Sequence, residues 1–334
     1  MEPFRLDYRA ERLPLAAPFR ISGFVFDHSE VVTVTLRQGA FSGRGEAAGV
    51  YYLDDDVRAI TTLLERKRDA IEGCTGREEL RSILPPGGAR NAVDCAMWEV
   101  EARRSATPVW ELAGLDPPRP LLTTMTVGVD APERMVSAAL AYKGARAIKV
   151  KLQGCLEADV NRVQAVRAAC PDVWLGVDAN QGFSVDDLPE LVRAMQELGV
   201  QVIEQPLARG READLDGFKT AIPLAADESA LDLEDVEHLP GRFDIVNIKL
   251  DKCGGLTEAL MIAERARALG LGVMVGNMVG TSLAMAPAFM VGQLCDVVDL
   301  DGPLFLKDER GPRVAYRDGL IHLPDDLWGS EARS

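Results

Sequence analysis

AIKVKL (147–152), VWLGVDAN (173–180), VIEQ (202–205), LAADE (224–228), IVNIKLD (245–251) and VVDLD (297–301) share one design. Each is a short apolar run that ends in charged or amide groups. Those groups are Lys149 and Lys151, Asp178 and Asn180, Glu204, Asp227 and Glu228, Lys249 and Asp251, and Asp299 and Asp301. The steps Lys151 to Asp178, Asp178 to Glu204, Glu204 to Asp227 and Asp227 to Lys249 are 27, 26, 23 and 22 residues. A strand, a loop, a helix and a return loop use about that much chain. The groups are therefore expected at the C-terminal ends of consecutive parallel strands, where a (β/α)₈ barrel builds its active site.

Working outward, eight strands are expected over 123–129, 147–152, 174–178, 202–204, 224–227, 245–249, 272–276 and 297–301. Helical stretches such as 157–169, 185–198 and 256–269 lie between them. Right-handed crossovers turn such a series into a parallel sheet, and eight units close it. The part before residue 120 has another rhythm. Residues 4–13 alternate imperfectly, VVTVTL (31–36) is a strand run, and 39–45 supplies turn chemistry. Helical patterns follow over 54–71 and 89–104. Strands followed by helices predict an α+β unit. The expected fold is α/β: a modified (β/α)₈ TIM barrel over 121–304 with an N-terminal α+β capping domain over 1–120. The segment 305–334 joins the cap, and its strand-like piece 319–323 is expected to return there.

The chain has 334 residues, 37 basic and 52 acidic, for a net charge of −15. A nucleic-acid footprint needs a basic stripe, and none occurs. The acidity favours solubility and a bound cation. No apolar run reaches the roughly 18 residues of a membrane span, and the opening MEPFRLDYRAERLPL lacks the apolar core of a signal peptide. Six scattered cysteines without a CxxC pair fit reduced thiols and a cytoplasmic location.

Strand side chains alternate faces, so residues two apart point the same way. Lys149 pairs with Lys151, Asp178 with Asn180, Lys249 with Asp251 and Asp299 with Asp301, and each pair is expected at the barrel mouth. Asp178, Glu204 and Asp227 arrive from adjacent strands. Three dehydrated carboxylates repel one another, and a divalent cation resolves this. All-oxygen ligation favours one Mg²⁺ per subunit, with Mn²⁺ as the alternative. Lys151 and Lys249 flank that ion from opposite sides, where like charge should lower their pKa values and make them bases. Two opposed bases around a Lewis acid suit removal and return of a proton α to a carboxylate.

The motifs KVKL, VDANQG, IEQPL, ADES, NIKLDKCGG and DLDGP resemble those of the enolase superfamily, and most of all its dipeptide epimerases. A lysine base with Mg²⁺ is that superfamily's known pattern. ARNAVDCAMWEVEARR (89–104) and NIKLDKCGGLTEAL (247–260) are similar to the L-Ala-D/L-Glu epimerase branch. The resemblance implies Lys151 and Lys249 as acid/base residues, Lys149 as an assisting charge, and Asp178, Glu204 and Asp227 as Mg²⁺ ligands. It implies that Asp299 and Asp301 receive the α-ammonium of a dipeptide, with L-Ala-D/L-Glu and murein-peptide recycling as the default.

The cap loops depart from that branch. Its glutamate-recognising members carry an arginine in the first loop, where this chain has ISGFVFDH (21–28); Arg20 comes earlier. Phe24, Phe26, Tyr51 and Tyr52 are candidates for an apolar specificity pocket, with Phe24 and Tyr51 the leading substrate contacts. Asp54–Asp56 is expected to cap the following helix, with attraction of a cationic substrate as the alternative. The rival functions are epimerisation of an apolar or cationic dipeptide, o-succinylbenzoate synthesis, muconate-type cycloisomerisation and a non-catalytic binding barrel. The expected partner is a small dipeptide, with no nucleic acid or membrane, and a homo-oligomer is left open.

Overall fold

The computed structural model describes residues 2–21, 23–309 and 311–330. β1 (Arg5–Ile21), β2 (Phe24–Gln38) and β3 (Phe41–Ala47) form an antiparallel meander. After the two-residue β4 (Leu121–Leu122) comes the repeating set: β5 (Met125–Val127), β6 (Ala147–Lys151), β7 (Trp174–Asp178), β8 (Val202–Glu204), β9 (Leu224–Ala226), β10 (Ile245–Ile248), β11 (Gly272–Val275) and β12 (Val297–Val298). These eight pair in sequence order, all parallel. The expected TIM-type barrel is thus present.

Strand periodicity sorts the barrel into layers. Ile148, Val150, Leu175, Val177, Ile203, Val246, Ile248, Val273 and Val275 face outward into the main core, under the helices. The inward face starts with an apolar plug of Val202, Ala225, Ile245 and Met274, against which Trp174 and Val297 pack. Two residues further along the same strands stand Gly176, Glu204, Asp227, Asn247, Gly276 and Asp299. The period of two therefore puts a polar ring directly above a water-excluding floor.

The first and last barrel strands are shorter than their apolar runs suggest. At the seam, side-chain bonds supplement a backbone one. Thr124 N–H donates to Val298 O at 2.9 Å. Leu300 N–H donates to Thr123 Oγ1 at 2.9 Å, and Thr126 N–H to Asp301 Oδ2 at 2.6 Å.

Three local expectations are corrected. Only Gly39 of the 39–45 stretch is a turn glycine (φ +60°). Gly43 and Gly45 lie in β3 under the helix Gly88–Ser105. A Cβ on Gly45 would fall 2.1 Å from Ala92 O, so no side chain fits beneath the helix. The helix expected over 54–71 divides at Lys67 into Val57–Arg66 and Arg68–Gly73, and Asp56 caps the first by accepting from Ala59 N–H at 2.8 Å. The piece at 319–323 does not join the cap sheet: β14 (Leu320–His322) pairs with β13 (Ala315–Arg317) and β4. Instead Trp328 Nε1 reaches Arg44 O at 2.9 Å.

Buried carboxylates cross between the N-terminal part and the barrel. Glu46 accepts from Thr281 N–H and Oγ1, both at 2.7 Å. Asp94 accepts from Thr257 N–H at 2.9 Å, and Asp251 from Ala48 and Gly49 N–H, each at 2.9 Å. These bonds seat the cap loops over the barrel mouth. All six cysteines are free. Among the described residues, no helix is long and apolar enough to cross a membrane.

Candidate active site

Register sets the first row of the site. β6, β7 and β8 align Lys151 with Asp178 and Asp178 with Glu204. Asp227 follows β9 directly. Asp178, Glu204 and Asp227 each offer an oxygen within 4.8 Å of the others, and all three are buried. Lysines grip this cluster. Lys151 Nζ donates to Asp178 Oδ2 at 2.5 Å, and Lys249 Nζ to Asp227 Oδ2 at 2.6 Å. Lys149 Nζ donates to Glu204 Oε2 at 3.1 Å and to Asp299 Oδ2. A Cβ on Gly276 would lie 2.8 Å from Asn247 Oδ1 and 3.0 Å from Lys249 Cε, so the glycine leaves those two side chains their space.

The fit to a cation rests on the oxygens left over. Glu228 Oε2, Asn180 Oδ1 and Asn247 Oδ1 are buried without a protein partner. Asn180 N–H donates to Asp178, its Nδ2 to Glu228, and Asn247 Nδ2 to Glu204. Three clustered carboxylates with unsatisfied acceptors around them form a hard, all-oxygen donor set, the kind that suits Mg²⁺.

The electrostatics follow from burial and crowding. Burial, then Asp178, pushes the Glu204 carboxyl up to about 7. Burial, then Asp227 and Asp178, pushes Glu228 up to about 8. Asp227 goes the other way: burial raises it, but Lys249 and Lys252 more than reverse that. The expected lowering of the lysines is not met at Lys249. Burial favours its neutral form, but Asp227, Glu204, Glu228 and Asp178 outweigh burial and hold it well above the usual lysine range. That expectation presupposed a cation among these carboxylates; the four acids by themselves keep the ammonium charged.

The paired-face expectation places Asn180 in the cleft beside Asp178 but fails at Lys249 and Asp251. Lys249 follows β10, and a helical turn (Leu250–Cys253) begins at once. Asp251 therefore points to the cap backbone and not to the mouth. Asp299 takes Lys149, Thr124 Oγ1 and Thr126 Oγ1. Asp301 takes Thr126 N–H, and burial with Asp299 beside it pushes the carboxyl up to about 7. Both acids sit buried at the barrel seam and are not among the residues that line the open cleft.

That cleft, about 320 Å³, has Lys151, Asn180, Asp227 and Lys249 on its floor. Phe26, Tyr51 and Tyr52 stand over them. Phe26 and Tyr51 meet edge to face at 5.3 Å between centroids, and Tyr51 and Tyr52 at 5.1 Å. Phe24 is 44% exposed and touches the group from outside, 4.7 Å from Tyr51. Asp55 lines the cleft but accepts from Gly88 N–H at 2.7 Å. Arg20 lines a separate groove with Asp130 and Arg134. Ser22 lies outside the described residues.

Several supporting residues escape the sequence reading. Lys252 is 2% exposed and donates to Asp227 O, Asp227 Oδ1 and Asn247 O at 2.5–3.0 Å. Gln205, at φ +36°, accepts from Asp227 and Ser229 N–H. No spacing marks these two. Asn247 could have been found, because it shares the inward face of Lys249 two residues on. Its Nδ2 reaches Glu204 Oε1 at 2.7 Å. Asn247→Leu keeps the volume and removes that support, so Mg²⁺ affinity is expected to fall roughly 10- to 100-fold by calorimetry.

Family models match over both parts of the chain: "Mandelate racemase / muconate lactonizing enzyme, N-terminal domain" at 5–114 and "Enolase C-terminal domain-like" at 133–329. The chain belongs to this family of the enolase superfamily, and it is an isomerase. It is 38% identical to the L-Ala-D/L-Glu epimerase of Escherichia coli K12, across 94% of this chain and 98% of that one. An enolase family member from Agrobacterium tumefaciens, solved with sodium and L-Ala-L-Glu, superposes with a TM-score of 0.93 at 38% identity, covering 98% of this chain and 100% of that one. The Methylococcus capsulatus dipeptide epimerase, complexed with Mg and L-Arg-D-Lys, gives 0.91 at 30% identity, covering 98% and 99%.

Proposed function

We propose that this chain is a Mg²⁺-dependent dipeptide epimerase that removes and returns the Cα proton of the dipeptide's C-terminal residue. The observation that carries this is the opposition of two lysines. Lys151 on the Asp178 side and Lys249 on the Asp227 side line one cleft and flank the carboxylate cluster. Inverting a centre needs a proton acceptor on one face and a donor on the other. Lys151 serves one face and Lys249 the other, and their roles exchange with the epimer bound.

Asp178, Glu204 and Asp227 would hold Mg²⁺, which when bound supplies Lewis acidity toward the substrate carboxylate. Lys149 braces Glu204 and Asp299 and adds positive charge at the floor. Asp299 and Asp301 are assigned to the N-terminal ammonium. Lys149 bonds Asp299, whereas Asp301 accepts from Thr126 N–H and is held up by burial and by Asp299; an ammonium beside it would favour its ionised form. Resemblance to the Escherichia coli L-Ala-D/L-Glu epimerase makes that dipeptide the starting point of the substrate test, and the side chain accepted at the epimerised position is decided by the cap loops.

The test is a dipeptide panel incubated with the Mg²⁺-loaded enzyme in D₂O, with mass spectrometry reading the gain of one deuterium. N-acetylating a dipeptide that turns over, or changing Asp301→Asn, is expected to lower kcat/KM roughly 10- to 100-fold, the scale of charge-assisted bonds. Indifference to acetylation would point to an N-acylamino acid or a non-peptide substrate. An absence of deuterium in every dipeptide would sink the proposal.

A further inference from the structure

The two lysines fix where the substrate Cα sits, and the cap decides what its side chain meets. This step rests on the two-base reading above. Away from the floor, one stretch of the lining is apolar or aromatic: Ile21, Val25, Phe26, Tyr51, Met278 and Val279. The edge-to-face stack of Phe26 on Tyr51, continued outward by Phe24, gives this wall a fixed shape.

The charges around that wall are unfavourable to an acidic side chain. Asp27, Glu30, Asp55 and Asp56 all line the cleft. Among the described lining residues there is no arginine, and the basic side chains are Lys151, Lys249 and His28. The lysines are bonded to Asp178 and Asp227. His28 Nδ1 lies against Asp27 Oδ1 and 3.0 Å from Arg12 Nη2. A glutamate side chain would give up its water for acids and a neutral donor, the buried and unpartnered Tyr52 hydroxyl, and an ionised group desolvated without a cationic partner binds poorly.

A cationic side chain gains little, because most of these acids are already engaged. Asp55 holds Gly88 N–H, Asp56 holds Ala59 N–H, and Asp27 holds His28. Glu30 is exposed at the rim, across from Arg12 in the β1–β2 register. An attraction at such a site is screened by solvent.

We infer that the epimerised residue carries an apolar side chain, leucine- or phenylalanine-like, seated against Phe26 and Tyr51, and that this chain discriminates against glutamate at that position.

The experiment compares L-Ala-L-Leu, L-Ala-L-Phe, L-Ala-L-Lys and L-Ala-L-Glu on the Mg²⁺-loaded enzyme, scoring α-deuterium incorporation in D₂O. The expected result is a kcat/KM for the leucine or phenylalanine dipeptide at least about tenfold above that for glutamate, the scale of burying a few methylenes. Phe26→Arg should move that ratio at least about tenfold toward glutamate by supplying the missing partner. Phe26→Ser, which removes the apolar ring and keeps the wall neutral, should weaken the leucine and phenylalanine dipeptides without helping glutamate. Glutamate equal to or better than leucine and phenylalanine in the native enzyme would overturn the inference and leave the two-base reading intact. Lysine ahead of both would overturn it in favour of a cationic substrate. An unchanged ratio in both variants would place the side chain elsewhere and overturn it too. Deuterium in none of the four, nor in a wider panel, would instead remove the function on which the inference stands.

Discussion

Lys151→Ala and Lys249→Ala are each expected to lose epimerisation, with kcat falling roughly 10²- to 10⁴-fold, the contribution of a positioned acid or base. The two variants should differ in what they retain. With one base left, the enzyme can still take a proton from one face, so each variant should exchange the α-proton of one epimer with D₂O and leave the other untouched. The retained epimer should be opposite in the two variants. That pattern separates loss of a base from general damage to the site, which would silence both epimers. Neither lysine is needed to shape the carboxylate cluster by itself: Asp227 keeps Lys252, and Asp178 keeps the Asn180 N–H. Mg²⁺ affinity should therefore not fall in either variant. Native-rate epimerisation by both variants would end the two-base mechanism.

Removing the metal should have an effect of comparable size. EDTA treatment is expected to abolish turnover, and added Mg²⁺ to restore it. The binding has a second readout that does not depend on catalysis. A ligand at one hundred times its Kd stabilises the native state by about 2.7 kcal/mol, so thermal melts should shift upward with Mg²⁺. Asp178→Asn, Glu204→Gln and Asp227→Asn should each shrink that shift, because each removes one of three carboxylates whose oxygens lie within 4.8 Å of one another. Full activity in metal-free enzyme would refute the cation's role. A normal melting shift in all three variants would show that the ion binds elsewhere.

The barrel was legible because its signals are local. A β-branched run, a polar terminus and a regular return interval report strand, loop and helix without any tertiary information. Inside the strands the inward set was also legible. Lys149, Lys151, Asp178 and Glu204 fall where a period of two puts them, and the register of β6, β7 and β8 lines up Lys151, Asp178 and Glu204. Legibility failed where the chain turns helical beyond a strand. Asp251 was expected at the mouth beside Lys249, but the chain turns helical after Lys249, and the carboxylate goes to Ala48 and Gly49 in the cap. Gly43 and Gly45 looked like turn residues, and only the helix lying across β3 explains them as sites of close approach.

By itself, then, the sequence determined the repeating architecture and the strand-end placement of the three clustered carboxylates and of Lys151 and Lys249, because each depends on alternation along one strand or on the interval between neighbouring strands. Tertiary structure alone decided the rest. It brought Lys252, Asn247 and Gln205 under the carboxylates, through bonds between residues with no shared pattern. It closed the barrel through Thr123, Thr124 and Thr126, which bond Leu300 N–H, Val298 O and Asp301 Oδ2 in turn. It also set Phe26 and Tyr51, 25 residues apart in the chain, edge to face over the cleft. A strand carries its periodicity with it, but a contact between distant loops exists only once the cap is docked on the barrel.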